Sequence, residues 1–548
     1  MLVNVRNLAL RGFHGAVETL AFDVPAGGWH IVVAPSGSGK SAACAKIVGL
    51  DFNAPLSQTL VSGRDVHLLS IAERAQTMAL LPPQATWAFS LIGDTAEDEI
   101  DLGAGFMGRE IPSSKKDWII GSLNLGRLLD RSTGSLSGGE SARIALATVL
   151  ARDPQVLVLD QALDSCDPSN RRLVQRILAE WLRRSGGAVI EFATSWKDRD
   201  LLDVPLCLST LTATGWVQGS PDKVWLQLGS AASDYFEGVD GLAARAFCDP
   251  SHAVTRSSAI HALVDRHAAT SSRAVDSSTL KCSFPNNGLD VKGLNFSYGD
   301  GCFHLDNVSF IAPKGTITAL LGPNGSGKTT LLRCLGNLAG PWTGSRTWCN
   351  ESLPNDLRPH QIASKLIYAF QNPDDQIYRA TVEEELLECR NNLRGRGHCL
   401  SKWEQDLLSD LNFGGTHSGS PFSLPLSRRR LLMIASSLIA KTPVVLLDEP
   451  TAWLDPVQKR ALACALRRFI ENDGTVLMIS HDMDFVGRYA DRFLRLENGK
   501  IVASIETMWA SRCQLPDTTP SADISERAGL TERVWKETPF LSMLKTGA

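Results

Sequence analysis

Short apolar runs punctuate the chain at Ile31–Val33, Val156–Leu159, Thr316–Leu321 and Val444–Leu447. Each is too short for a helix and rich in β-branched or leucine residues. Each leads into a Gly-rich turn or a longer stretch of helical pattern, which predicts buried strands alternating with helices. Strand–loop–helix alternation of this kind predicts the α/β class, a parallel sheet covered by helices.

The pattern occurs twice. GSGKS at 37–41 recurs as GSGKT at 325–329, so Lys40 and Lys328 stand 288 residues apart. The run VLVLD ending at Asp160 recurs as VVLLD ending at Asp448, again offset by 288, and Gln84 recurs as Gln371, offset by 287. Three landmarks in one order at one spacing indicate a tandem duplication. The halves fall at 1–228 and 288–510, joined by a Ser- and Ala-rich linker at 229–287 with short possible helices such as 257–266. A tail at 511–548 follows.

Composition narrows the function classes. The 548 residues are 43% hydrophobic and 21% charged, an ordinary folded composition, and 55 basic against 59 acidic side chains give a net charge of −4. A globally basic nucleic-acid binder is thereby disfavoured. Mean hydropathy is −0.05, and no run of 18 apolar residues is present, so no membrane span is expected within the chain. The first 15 residues lack the basic-then-apolar layout of a secretory signal. The 12 cysteines contain no CxxC pair, which points to free thiols in a reducing cytoplasm and away from zinc.

Candidate chemistry centres on the two repeated loops. Gly322, Pro323, Asn324, Gly325, Ser326, Gly327, Lys328 and Thr329 fit G-x-x-x-x-G-K-[ST] between a predicted strand and a predicted helix. Such a loop closes backbone N–H groups around phosphate oxygens at a helix N-terminus. Lys328 would reach the β- and γ-phosphates and the Thr329 hydroxyl would hold Mg²⁺. The first half reads Ala34, Pro35, Ser36, Gly37, Ser38, Gly39, Lys40 and Ser41, with alanine at the first glycine position. Asp448 ends an apolar run, so its carboxylate emerges beside the loop. Glu449 after it can serve as general base toward an attacking water, a role worth about 10²–10⁴ in rate. The first half has Gln161 there, which cannot accept that proton.

These motifs, with LSGGE at Leu136–Glu140 and DEPTAWLD at 448–455, closely resemble those of the ATP-binding cassette family, and the resemblance covers both halves. It implies two tandem P-loop NTPase domains, each a mostly parallel core sheet with an antiparallel β subdomain and a helical subdomain. It implies ATP and Mg²⁺ as ligands of Gly322–Thr330 and of Ala34–Ser41. Gln371 and Gln84 would assist Thr329–Asp448 and Ser41–Asp160 at the metal, and His481 would act as the switch histidine. In the family two cassettes pair head to tail, each ATP lying between one phosphate loop and the other cassette's signature. Ser137, Gly138 and Gly139 would then contact the ATP held by Lys328. Asp455 and Asp167 occupy positions at which the family contacts the opposite cassette. Tyr298, 30 residues before Lys328, suits stacking on adenine, an ordinary turn tyrosine being the other reading; Phe13 is the first half's nearest candidate.

Read at the same register, the second half carries Pro425 and Leu426 where the first has Ser137 and Gly138, and the first carries Thr194 in place of His481. Proline lacks an N–H and leucine carries a bulky Cβ, so the second signature cannot form a tight backbone cradle. Paired crosswise, every clear defect falls in one composite site: Lys40, Ser41, Gln84, Asp160, Gln161 and Thr194 with residues 424–428. The other site is complete. One hydrolytic and one degenerate site are therefore expected.

FQNPDDQIYRATVEEEL at 370–386 resembles the ATPases of energy-coupling factor importers and their cobalt-type relatives, with DTAEDEI at 94–100 a fainter echo. The resemblance implies a peripheral ATPase on the cytoplasmic side of the cell membrane. Membrane subunits would dock at the glutamine-loop grooves near 84–100 and 371–386, and a vitamin or transition-metal ion would be the cargo. Another importer or exporter class, or a cytosolic tandem-cassette protein acting on ribosomes, are the alternatives. The linker's six acids and five bases make a poor arm for rRNA phosphates.

Overall fold

A computed structural model of the chain describes residues 1–12, 16–50, 57–90, 92–105, 108, 110–136, 138–164, 168–196, 204–212, 214–228, 287–298, 304–395, 399–414 and 418–506. Phe13, Ser137, Asp167, the linker up to residue 286 and the tail 511–548 lie outside the described residues.

In the first half, β1 (Val3–Arg11), β2 (Val17–Val24), β4 (Gln58–Val61) and β5 (Arg64–Asp65) form an antiparallel sheet in the order β2-β1-β4-β5. Its strands alternate buried and exposed positions, as a sheet with one wet face must. A second sheet collects β3 (Trp29–Val33), β6 (Met78–Leu81), β7 (Val156–Asp160), β8 (Ala188–Ala193), β9 (Leu206–Thr212) and β10 (Gly215–Gly219), in the order β10-β9-β3-β8-β7-β6. All its pairs are parallel except β9–β10. Every residue of β3, β7 and β8 is buried, the signature of strands covered on both faces. One face packs on the antiparallel sheet through Val5, Leu20, Val32, Val158 and Ile190. The other packs on helices through Ile31, Leu157, Leu159, Ile144 and Leu178. Burying one such Val, Leu or Ile side chain is worth about 1.5–3 kcal/mol.

Among the described residues seven helices accompany these strands: α1 (Lys40–Ile47), α2 (Ile71–Thr77), α3 (Ala96–Gly105), α4 (Ser113–Ser122), α5 (Gly138–Ala151), α6 (Pro168–Ser185) and α7 (Pro221–Leu228).

The second half repeats the plan. Its antiparallel sheet runs β12-β11-β14-β15, from β11 (Gly288–Ser297), β12 (His304–Pro313), β14 (Thr343–Trp348) and β15 (Glu351–Ser352). Its core sheet runs β16-β17-β18-β13-β19-β20, the first half's order read from the other edge. The strands are β13 (Ile317–Leu321), β16 (Leu366–Ala369), β17 (Val444–Asp448), β18 (Thr475–Ile479), β19 (Arg492–Glu497) and β20 (Lys500–Glu506). The expected run from Thr316 enters its strand one residue later, because the Thr316 hydroxyl bonds the Pro313 carbonyl at 2.7 Å in the preceding turn. The helices are α8 (Lys328–Leu335), α9 (Pro359–Ile362), α10 (Val382–Arg394), α11 (Lys402–Asp410), α12 (Leu426–Ile439), α13 (Pro456–Glu471) and α14 (Met483–Tyr489). Among the described residues no helix is long and apolar enough to cross a membrane.

The repeat reaches into backbone conformation. Non-glycine residues with positive φ recur at the offset of 288: Asn124 and Asn412 (50° and 59°), Asp153 and Lys441 (60° and 57°), Gln161 and Glu449 (52° and 53°). Left-handed backbone is uncommon for such residues, so its recurrence reflects shared turns.

Candidate functional site

Both phosphate loops leave the carboxyl end of a central strand, β3 or β13, and open a helix, α1 or α8. Gly39 and Gly327 sit at φ of 91° and 100° at the two helix starts, a conformation that glycine alone adopts without strain. Lys40 Nζ donates to the carbonyls of Ala34 and Pro35, both at 2.9 Å, and Lys328 Nζ donates to those of Gly322 and Pro323 at 2.8 and 2.9 Å. Each loop is thereby drawn around its own lysine. In each, one buried hydroxyl, Ser38 Oγ or Ser326 Oγ, has no hydrogen-bond partner. A buried orphan hydroxyl in a glycine-rich loop that opens a helix fits an oxygen-rich anion such as a nucleotide's phosphates.

The loops differ at their first residue. Gly322 has φ of 149°, and a Cβ there would lie 2.1 Å from the Leu496 carbonyl oxygen. Cassette-like geometry in the first half accommodates Ala34, which is buried and absent from the positive-φ residues.

The acids lie where β7 and β17 end. Asp160 and Asp448 are buried, and burial raises both above the usual carboxylate range. The Ser41 hydroxyl bonds Asp160, and the Thr329 hydroxyl bonds Asp448, so the two sequence-predicted Mg²⁺ pairs are assembled in both halves. Tyr368, from the adjacent β16, donates its hydroxyl to Asp448 Oδ2 at 2.9 Å. Glu449 lies next to the metal-pair acid with most of its surface covered; desolvation foremost, then the Asp448 charge, push it up to about 8. Its Oε2 accepts from the His481 backbone N–H at 3.1 Å, and its Oε1, without a hydrogen-bond partner, lies 3.5 Å from His481 Nε2. Lys328, Thr329, Asp448, Glu449 and His481 are thus brought together at one end of one sheet.

Gln371 is exposed, just beyond β16, and its carbonyl is tied to Arg430 of α12. That guanidinium, completely buried, also donates to the carbonyls of Phe370 at 2.8 Å, Asp448 at 3.0 Å and Glu449. Sequence reading passed over Arg430. The signal was there: three consecutive arginines open a helix whose later turns are apolar. Gln84 starts a short 3₁₀ turn at Ala85–Ala88. Tyr298 follows β11, exposed, edge-on to Phe296 at a centroid distance of 4.9 Å.

Helices α5 and α12 begin at Gly138 and Leu426, which places Pro425 and Leu426 in true register with the first half's signature. Pro425 caps α12 without any side-chain hydrogen bond. Gly138 and Gly139 form the first turn of α5.

The FQNPDDQ segment folds on itself. Asn372 Oδ1 accepts from Asp374 N–H at 3.2 Å, Gln376 Oε1 accepts from Phe370 N–H at 3.2 Å, and Asp374 pairs with Arg429. Thr381 and Glu384 form a capping box on α10, Glu385 Oε2 accepts from the Tyr378 and Arg379 N–H groups at 2.9 and 2.7 Å, and Glu388 pairs with Arg379. The first half echoes this: Thr95 and Asp98 bond reciprocally, and buried Glu99 accepts from Ser90 N–H at 2.8 Å and from its hydroxyl at 2.9 Å.

The family model described as ABC transporter matches residues 17–164 and again 305–452, more than half of the chain. A Streptomyces avermitilis protein named as an ABC transporter ATP-binding protein is 28% identical over 544 residues, covering 92% of this chain and 93% of its own. A Bacillus subtilis protein named for HMP/thiamine import ATP binding is 26% identical over 542 residues, covering 96% of this chain and 92% of its own. In fold alone, an archaeal ribosome recycling factor solved with a ribosomal stalk protein is similar, with a TM-score of 0.55 at 19% identity over 91% of this chain and 90% of that one. With two matched segments coinciding with two copies of one phosphate loop and one buried acid, the chain belongs to the ABC transporter family, an ATPase with two ATP-binding cassettes in one polypeptide.

Proposed function

We propose that this chain is the energy-coupling ATPase of an energy-coupling-factor-type importer, seated on the cytoplasmic side of the cell membrane and driving uptake of a vitamin or transition-metal ion. The observation that carries the ATPase half of this reading is the Lys328–Asp448–Glu449–His481 cluster. The FQNPDDQ segment, its self-bonded loop and the similarity to a protein named for HMP/thiamine import support the importer half.

In this reading the loop N–H groups and Lys328 bind the β- and γ-phosphates, Tyr298 stacks on adenine, and Glu449 takes a proton from the attacking water. His481 holds the water and γ-phosphate in place, and Gln371 senses them. Thr329, Asp448 and Gln371 would hold Mg²⁺, which supplies charge neutralisation across the phosphates. Ser137, Gly138 and Gly139 complete this site across a head-to-tail pair, and Asp455 and Asp167 take part in the pairing. The Ala34–Ser41 loop, with Gln84, Asp160 and Ser41 around its own Mg²⁺, meets Pro425 and Leu426 and turns over slowly or serves structurally. Domain limits of 1–228, 229–287, 288–510 and 511–548 follow from the repeat.

Membrane subunits dock beside the glutamine loops, near 84–100 and 371–386. Trp87, Ile92, Tyr378 and Phe422 are exposed there, at 54%, 69%, 64% and 54%, and contact with a partner would cover them. Affinity purification from membranes should recover integral membrane subunits, and Tyr378→Asp should release them while leaving ATP binding intact. Sedimentation with ribosomes instead of membranes overturns the transporter reading.

A further inference from the structure

The two cassettes differ in where a carboxylate meets the switch segment. In the second, the His481 backbone N–H is bonded by Glu449. In the first, the side chain after Asp160 is Gln161, whose Nε2 turns back to Asp160 Oδ1 at 3.2 Å. The matching switch N–H, that of Thr194, is nevertheless bonded by a carboxylate. Asp164 Oδ2 accepts from Thr194 N–H at 2.9 Å and from the Thr194 hydroxyl at 2.9 Å.

Four features make Asp164 resemble Glu449. Both accept the switch N–H through one oxygen. Both keep a second oxygen buried and without a hydrogen-bond partner, Oδ1 in Asp164 and Oε1 in Glu449. Both act on the phosphate-loop lysine: Asp164 is the foremost of the charges opposing the effect of burial on Lys40, and Lys328 acts on Glu449 in turn. Both also stand within electrostatic reach of the metal-pair acid, Asp160 or Asp448. Asp164 is only 8% exposed, and the second cassette has the small apolar Ala452 at the corresponding position. A capping role alone needs one oxygen and leaves the other buried at a cost, so the orphan oxygen points to a ligand.

We propose that Asp164 is the relocated second acid of the first cassette and the general base of a slow ATP hydrolysis at the Lys40 loop. The water oxygen bonds to the γ-phosphorus as the bond to the β–γ bridging oxygen breaks. ADP leaves with that electron pair, and the water's proton passes to Asp164. Thr194, which lacks the imidazole that His481 brings to the second cassette, makes this site the slower one. The inference rests on reading Ala34–Ser41 as a nucleotide loop.

The test uses the full chain carrying Lys328→Ala, so that the Lys40 loop is the one intact phosphate loop. Single-turnover cleavage of γ-labelled ATP should be slow but present, and Asp164→Asn should slow it at least about 100-fold, the lower end of the range for a lost general base. The same change removes a carboxylate facing the γ-phosphate, so equilibrium binding of Mg·ATP should tighten about 3–10-fold while Mg·ADP binding stays within about twofold. Asp164→Glu should restore part of the cleavage. Absent cleavage before the change, unchanged cleavage after it, or parallel loss of ATP and ADP binding overturns the proposal. The hydrolytic role of the second cassette is tested separately, by Glu449→Gln in an otherwise unaltered chain.

Discussion

Set side by side, the cassettes keep the same strand order, the same lysine folded back on its loop and the same left-handed backbone after the buried acid. The side chains on that frame diverge. Gln161 stands where the second has Glu449, Thr194 where it has His481, Ala142 where it has Arg430 and Leu102 where it has Glu388. The frame is held by completely buried strands and turn conformations, which tolerate no change of hydrophobic pattern or φ. The exchanged side chains sit just beyond the ends of those strands, as at Gln161 and Thr194, or on the helices beside them, as at Ala142 and Leu102. Duplication therefore preserves architecture while leaving each site free to change its acids.

The sharpest way to break this comparison is the acid itself. Glu449→Gln should lower steady-state phosphate release by about 10²–10⁴, whereas Gln161→Ala should stay within about twofold. Equal losses would end the asymmetry. Next comes Arg430, whose replacement by methionine strands four backbone carbonyls around Gln371 and Glu449. The cost should be on the order of 3–5 kcal/mol by denaturant unfolding. At the matching position the first cassette carries Ala142, which has no guanidinium to lose.

Gly322→Ala forces a Cβ against the Leu496 carbonyl at a φ of 149° and should cost about 2–4 kcal/mol and much of the ATP binding. Ala34→Gly at the matching position should shift stability by less than about 1 kcal/mol, seen in the same unfolding curves.

A smaller effect separates the cassettes by pH. Arg379 holds Glu388 down at about 2, well below its ordinary 4.5. Its stabilisation is therefore present above about pH 4.5 and is lost as the pH falls toward 2. Glu388→Gln should flatten that part of the acid-unfolding profile; an unchanged profile would show the ion pair contributing nothing. Smallest is Tyr298→Ala, which should raise the KM for ATP about fivefold through lost stacking.

Much of this was legible in the primary structure because it depends on local pattern. The offset of 288 paired Pro425 and Leu426 with Ser137 and Gly138, and the two helices start at that same offset, at Gly138 and Leu426. The capping box Thr381–Glu384 was visible as T-V-E-E. Asp164 was not read, because its partner Thr194 lies 30 residues away and only the fold brings them together. An acid in the first repeat where the second has Ala452 was the available hint. Arg430 escaped for the same reason, its carbonyl partners lying 18 to 60 residues off.

The left-handed turn at Gln161 limits what a single substitution can do. Its backbone N–H bonds Phe192 at 2.8 Å as that of Glu449 bonds Ile479 at 3.0 Å, so the seat for a glutamate is intact. Yet the single switch N–H that such a glutamate would need already serves Asp164. Replacing Gln161 with glutamate would set two anions competing for one donor. The exchange thus works as a ratchet in the first cassette: while Asp164 holds the donor, one substitution at Gln161 does not recreate the second cassette's arrangement.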